Sequence, residues 1–137
     1  MKKNGILNSD ISRVLSYMGH TDQICIGDCG LPIPDATERI DLALCFGQPS
    51  FMEVLREITR DMKIERIILA EEIKERNPKQ LADILSLFQD SDSDPSPTVD
   101  YVAHTELKQM TRSCKAVIRT GETTPYSNII LQSGCIF

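Results

Sequence analysis

Apolar residues recur along the chain with two spacings, one typical of helices and the other typical of strands. In the first helical segment they fall at i, i+3, i+4 and i+7, namely at Ile11, Val14, Leu15 and Met18. This spacing predicts an amphipathic helix, and Asn8 or Ser9 can cap its first turn. We expect Gly19 to end the helix, because glycine readily adopts the left-handed conformation that follows many helices.

Three further helices are predicted from their start signals and apolar stripes. Ser50 and Glu53 have the spacing of a capping box, and an apolar face follows them as far as Met62. The pair Asn77-Pro78 puts a cap and a first-turn proline in the favoured order, ahead of an apolar stripe over residues 81–88. Residues 105–112 form a shorter helical segment.

Six short apolar runs have the composition and spacing of strands, at residues 24–26, 40–44, 64–70, 99–103, 116–118 and 129–131. Strands that alternate with helices predict an α/β sheet covered on both faces. In two places strands follow each other without a helix, which suggests a mixed sheet. We therefore expect one domain over residues 1–137, with a mixed six-stranded sheet and helices on both faces in a three-layer α/β/α arrangement. Residues 90–97 contain only Asp, Ser and Pro and predict a solvated loop.

Composition excludes several classes of partner. The net charge is -5, and no Lys/Arg-rich run is present, so the chain lacks the basic footprint needed for nucleic acid or for an anionic membrane surface. No signal peptide follows the first lysines, and no apolar run has the length of a membrane span. We expect a soluble protein that stays in the cytoplasm.

Five residues are candidates for chemistry or binding, and each also has a plain structural interpretation. His20 can carry a proton near neutral pH, or it can simply be stabilised by the end of the first helix. Asp28 can accept hydrogen bonds from a hydroxylated ligand or form a turn before the next glycines. His104 can bind a ligand or merely precede a helix. Tyr126 and Asn128, two apart in a predicted extended segment, would project to the same side and could contact a ligand together, or they could form a plain junction between a turn and a strand.

Several common motifs are absent from the sequence. There is no GxGxxG or P-loop for nucleotides, and no GxSxG for a serine nucleophile. The five cysteines contain no CxxC pair, and only two histidines are available, which gives no support to a zinc site. The remaining possibilities are a proton-transfer reaction without a cofactor, or binding alone.

Five segments together resemble the RbsD/FucU sugar-mutarotase family. They are Lys-Lys-Asn-Gly-Ile-Leu-Asn-Ser at residues 2–9, Gly-His-Thr-Asp at 19–22, Asp-Cys-Gly-Leu-Pro-Ile-Pro-Asp at 28–35, Ala-Val-Ile-Arg-Thr-Gly-Glu at 116–122 and Thr-Pro-Tyr-Ser-Asn-Ile-Ile-Leu-Gln at 124–132. They span nearly the whole chain in the family's order, and their form is similar to its ribose branch. Cys29 departs from the usual alanine, and residues 90–97 make a longer segment than is typical.

The resemblance implies interconversion of β-D-ribopyranose and β-D-ribofuranose, with neither a cofactor nor a metal. It implies that His20 is the proton donor and that the sugar is bound by Asp28, His104, Tyr126, Ser127 and Asn128. It also implies a homo-oligomer, commonly a decamer of two stacked pentamers, with sites near subunit borders. Two alternatives remain open: a non-catalytic ribose-binding accessory protein of a ribose transporter, and a fucose mutarotase.

Overall fold

The computed structural model describes residues 1–89 and 95–137. In chain order its elements are α1 (Ser9–Tyr17), β1 (Gln23–Gly27), β2 (Glu38–Asp41), α2 (Phe51–Asp61), β3 (Ile64–Ala70), α3 (Ile73–Arg76), α4 (Pro78–Gln89), β4 (Thr98–Val102), α5 (His104–Met110), a 3-10 turn (Thr111–Ser113), β5 (Ala116–Arg119) and β6 (Ile129–Ser133). No helix in the described residues is long and apolar enough to cross a membrane.

The six strands form one mixed sheet in the order β2-β5-β1-β6-β3-β4. Strand β6 runs antiparallel to both of its neighbours, β1 and β3, while the other three pairs are parallel. The predicted mixed six-stranded sheet is therefore confirmed. Because β6 is reversed, the residues that precede it lie beside the residues that follow β1, β3, β4 and β5. We call this side, formed by the carboxyl ends of the parallel strands, one edge of the sheet.

Both faces of the sheet are covered, as predicted, and each has its own apolar core. Strand residues such as Ile24, Ile67 and Leu131 pack on one face against buried residues of α1, α2 and α4. The residues between them, such as Ile130, pack on the other face with Leu107 of α5. Because side chains alternate along each strand, the sheet contributes to two separate cores. The helices on one face, the sheet and the helix on the other face are the three layers.

The helix starts agree with the predictions, but the end of α1 does not. The Asn8 side chain accepts the N–H of Ile11 at 3.0 Å, and Ser50 and Glu53 form the reciprocal capping box of α2. The prediction that Gly19 ends α1 in a left-handed conformation is wrong. Met18 leaves the helix in an extended conformation, and the left-handed residue is Thr21, with φ of 69°.

Two further segments differ from the sequence prediction. Strand β2 lies at Glu38–Asp41, earlier than the predicted residues 40–44, because the Asp41 side chain accepts the N–H of Ala43 at 3.0 Å and turns the chain. The short helix α3 was not predicted. Of the predicted loop at residues 90–97, residues 90–94 lie outside the described residues; Pro95 and Ser96 are exposed, and Pro97 is buried.

Candidate active site

Three predicted site residues meet at one edge of the sheet. Asp28 follows β1, Asn128 precedes the neighbouring strand β6, and His104 follows β4 and begins α5. The backbone N–H of Asp28 donates to Asn128 Oδ1 at 3.1 Å, which joins two segments that are 100 residues apart. Gly27 permits this approach, because a Cβ there would lie 2.6 Å from Leu31 and 3.1 Å from Asn128 Oδ1.

The His104 imidazole packs edge-to-face against the Tyr126 ring, with ring centroids 5.0 Å apart and an interplanar angle of 83°. His104 Nδ1 and Asn128 Nδ2 are both buried, and neither makes a hydrogen bond of normal geometry among the described residues, although the Asn128 side chain lies close enough to the Asp28 carboxyl to lower its pKa. Buried polar atoms are normally satisfied, so two unsatisfied atoms at one edge are available to a ligand with several hydroxyl groups.

The turn that carries Tyr126 and Ser127 differs from the predicted backbone conformation. Tyr126 has φ of 58°, which is a left-handed turn conformation, so the predicted extended segment through Tyr126 and Asn128 is wrong. Ser127 is fully buried, and its Oγ lies 2.9 Å from Thr124 Oγ1 and 3.4 Å from Asn77 Nδ2. These contacts make Ser127 a support of the turn that presents Tyr126.

Burial shifts the pKa values of two of the titratable side chains at this edge, Asp28 and His104. Burial raises the pKa of the Asp28 carboxyl, against the opposing effect of the Gly30 N–H that donates to its Oδ1 at 2.9 Å. Burial also lowers the pKa of His104, helped by the positive charge of Lys108 and opposed by Glu72 and Asp28. The two pKa values move toward each other, which reduces the free-energy cost of moving a proton between these two groups.

His20 is not part of this cluster. It precedes β1 whereas Asp28 follows it, and the five residues of β1 separate the two edges by about 16 Å. The His20 side chain is 54% exposed, and its Nε2 lies 2.9 Å from Glu65 Oε2. Gln132 donates to the other oxygen of Glu65 at 2.8 Å, so the carboxylate that contacts the imidazole is itself held in place.

The sequence prediction missed two acidic residues that contact the candidate histidines. Glu65 pairs with His20, and both oxygens of Glu72 accept the backbone N–H of His104, at 2.9 and 3.1 Å. Neither belongs to a local motif, because each contact joins residues more than thirty positions apart; only the sheet order brings them together. Within residues 1–89 and 95–137, no cluster of three or more His, Cys, Asp or Glu side chains has metal-site geometry.

Comparison with known proteins places this geometry in a family. Residues 1–136 match the RbsD / FucU transport protein family. The chain belongs to that family. Within it, a protein named D-ribose pyranase from Streptococcus agalactiae serotype Ia is 56% identical over 136 residues, which is 99% of each chain.

Two solved structures of similar proteins have the same architecture. Bacillus subtilis RbsD, whose structure is a complex with D-ribose, is 44% identical, and the match covers 100% of both chains with a TM-score of 0.93. The fucose mutarotase of Streptococcus pneumoniae, in complex with L-fucose, matches with a TM-score of 0.81 over 96% of this chain and 95% of that one. At 24% identity the second likeness shows a shared fold only.

Proposed function

We propose that this chain is an isomerase that interconverts β-D-ribopyranose and β-D-ribofuranose, the reaction of a D-ribose pyranase. The observation that carries the proposal is the full-length similarity, 56% over 136 residues, to a protein of that name. The edge formed by Asp28, His104, Tyr126 and Asn128 supports it, because two buried polar atoms there have no partner among the described residues. An aromatic ring beside such donors and acceptors suits a sugar, which has both C–H faces and hydroxyls.

The reaction needs two proton transfers and neither oxidation nor reduction. A base takes the proton of the anomeric hydroxyl, the C1–O5 bond breaks as an acid protonates O5, and the open-chain aldehyde forms. Attack of O4 on C1, with the protons moving in reverse, closes the five-membered ring. A positioned acid or base contributes about 10²–10⁴-fold, and no cofactor takes part in the proposed steps.

In this proposal Asp28 and Asn128 fix the sugar hydroxyls, His104 contributes its buried Nδ1, and Tyr126 packs on the ring. Ser127 supports the turn that carries Tyr126. The proton donor to the ring oxygen is His20. A donor must come within about 2.6–3.2 Å of its acceptor, and His20 lies at the far edge of its own chain.

We therefore assign the donor to His20 of a neighbouring copy, in a homo-oligomer with its sites at subunit borders. The exposed His20 imidazole, held by Glu65 at 2.9 Å, suits a group that works on another chain. Large apolar side chains are exposed beside the Asp28 edge at Leu44 and Phe46, where they border an open cavity of about 300 Å³ that includes Cys29. A second copy would cover them. The family resemblance extends this to a decamer of two stacked pentamers.

The test measures pyranose–furanose exchange of D-ribose by saturation-transfer NMR. The wild type should accelerate exchange, and both His20→Asn and Asp28→Asn should abolish most of the acceleration while keeping the oligomer. If the site is shared, co-refolding the two inactive variants should restore part of the activity. No acceleration by the wild type would refute the isomerase, whereas inactive mixed oligomers would refute the shared site.

Two alternatives give different results in the same experiment. A ribose-binding accessory protein would bind D-ribose in calorimetry and leave the exchange rate unchanged. A fucose mutarotase would accelerate the anomer exchange of L-fucose more than the ring exchange of ribose.

We place the protein in the cytoplasm, which accords with its five free cysteines, since thiols persist in reducing compartments.

A further inference from the structure

Helix α5 begins without a cap from its own sequence. The N-cap residue is Ala103, which has no side-chain hydrogen-bonding group, and the helix starts at His104. The N–H of His104 is satisfied instead by Glu72, whose Oε2 and Oε1 lie 2.9 and 3.1 Å from the nitrogen. A carboxylate that follows β3 therefore caps a helix that follows β4.

Glu72 is well placed to fix the position of His104 because the backbone on both sides of the contact is anchored. The N–H of Glu71 donates to Val102 O at 2.7 Å, which ties the end of β3 to the end of β4 directly before the two contact residues. Beyond Glu72 the chain continues into α3, where Arg76 N donates to Glu72 O at 3.0 Å. The carboxylate thus comes from a segment held at both its ends.

The imidazole that Glu72 anchors is the one that packs on Tyr126 and has its Nδ1 buried without a partner. A shift of the His104 backbone would move that nitrogen and the ring contact together. We propose that Glu72 is a positioning residue of the sugar site, which holds His104 in its binding position through the backbone N–H; this inference rests on the proposed function.

The charge of Glu72 also acts on the imidazole. The charged groups that face His104 are Lys108 of its own helix, Glu72 after β3 and Asp28 after β1. Burial and Lys108 lower the His104 pKa, whereas the negative charges of Glu72 and Asp28 raise it. Removal of the Glu72 charge should therefore lower the His104 pKa further. A cap that served only the stability of α5 would leave KM for D-ribose unchanged, so KM is the measurement that separates the two roles.

The test uses the full chain with Glu72→Gln, which keeps the length of the side chain and one acceptor oxygen but removes the charge. Glu75→Gln is the matched control, since Glu75 is an exposed residue of α3 that makes the same charge change. For Glu72→Gln we expect KM for D-ribose to rise about tenfold, the scale of one weakened hydrogen bond to a charged group, with a smaller change in kcat. The His104 NMR titration should move to lower pH, and Glu75→Gln should match the wild type in both measurements.

Glu72→Gln with the KM and the His104 titration of the wild type would overturn the proposal. So would equal effects in Glu75→Gln, because they would show a general effect of charge. If the wild type itself fails to accelerate exchange, the proposed function fails on its own; the His104 titration and D-ribose binding by chemical-shift change then decide the role of Glu72. Glu72→Asp, which keeps the charge at shorter reach, should retain the titration better than Glu72→Gln.

Discussion

Because the backbone of Tyr126 is left-handed, we predict that glycine at this position gives a more stable protein than alanine, which is the reverse of the usual order. Tyr126 has φ of 58° and is followed by the buried Ser127 and Asn128. For a residue with a Cβ this conformation costs about 1–2 kcal/mol. Tyr126→Ala and Tyr126→Gly both remove the ring, so the difference in stability between these two variants isolates the cost of the backbone conformation.

Glycine removes the left-handed penalty but makes the unfolded chain more flexible, which costs about 0.4–1 kcal/mol. The balance leaves Tyr126→Gly more stable than Tyr126→Ala by about 1 kcal/mol. Both variants should lose affinity for D-ribose, because both lose the ring that packs on His104 at 5.0 Å. Strain of this kind is concentrated at functional sites, where the surrounding structure imposes it.

The assay is urea unfolding of both variants at one fixed protein concentration, because oligomer stability depends on concentration. The control is the same pair of substitutions at Thr123, an exposed residue of the same loop whose φ is not positive. There alanine should be at least as stable as glycine. If Tyr126→Ala is the more stable variant of its pair, the left-handed conformation is not strained and this reasoning is refuted.

Three further predictions follow from local features. Asp28→Asn should abolish most of the exchange activity yet stabilise the fold at neutral pH. Burial raises the Asp28 pKa above its ordinary value of 3.8, so between these two pKa values the folded chain binds more protons than the unfolded chain. The wild type therefore loses stability as the pH rises from 3.8 through the pKa of the folded state. The advantage of Asp28→Asn in denaturant unfolding should therefore shrink as the pH falls toward 3.8, and an advantage that grows in acid would contradict this account. Ser50→Ala removes one half of the α2 capping box and should cost about 1 kcal/mol in urea unfolding, with exchange kinetics unchanged. Burial raises the pKa of Cys114 to about 12 and also raises the pKa of the fully buried Cys25. Both thiols should therefore resist a thiol reagent in the native protein and react after unfolding. Labelling is mapped by mass spectrometry, and fast labelling of either cysteine in the native protein would contradict the burial.

Features with local signals were predictable from the sequence. The Ser50 and Glu53 capping box depends on four consecutive residues, and every strand except β2 has its own apolar run. The ends of elements were less predictable, since a tertiary contact decides them. Asp41 turns the chain out of β2, and Met18 leaves α1 before the expected glycine.

The sequence predicted most of the residues of the candidate site, but it did not predict how they are arranged in space. Asp28, His104, Tyr126 and Asn128 do lie together. His20 is eight positions from Asp28 in sequence, yet a strand separates them, and polar residues before and after one strand necessarily lie at opposite edges of a sheet. The left-handed turn at Tyr126 gave no local signal, because neither glycine nor asparagine stands there.

The position of β6 has a consequence for how the protein is made. Strands β2, β5 and β1 form one half of the sheet and β3 and β4 the other, and β6 alone pairs with both halves. Its partners are sixty or more residues earlier in the chain, so the halves cannot be joined until residues 129–133 have left the ribosome. Asn128 directly precedes β6, and Tyr126 lies just before it. The candidate site and the completed sheet should thus appear in the same late step, so that a nascent chain exposes unpaired edge strands before the candidate site has formed.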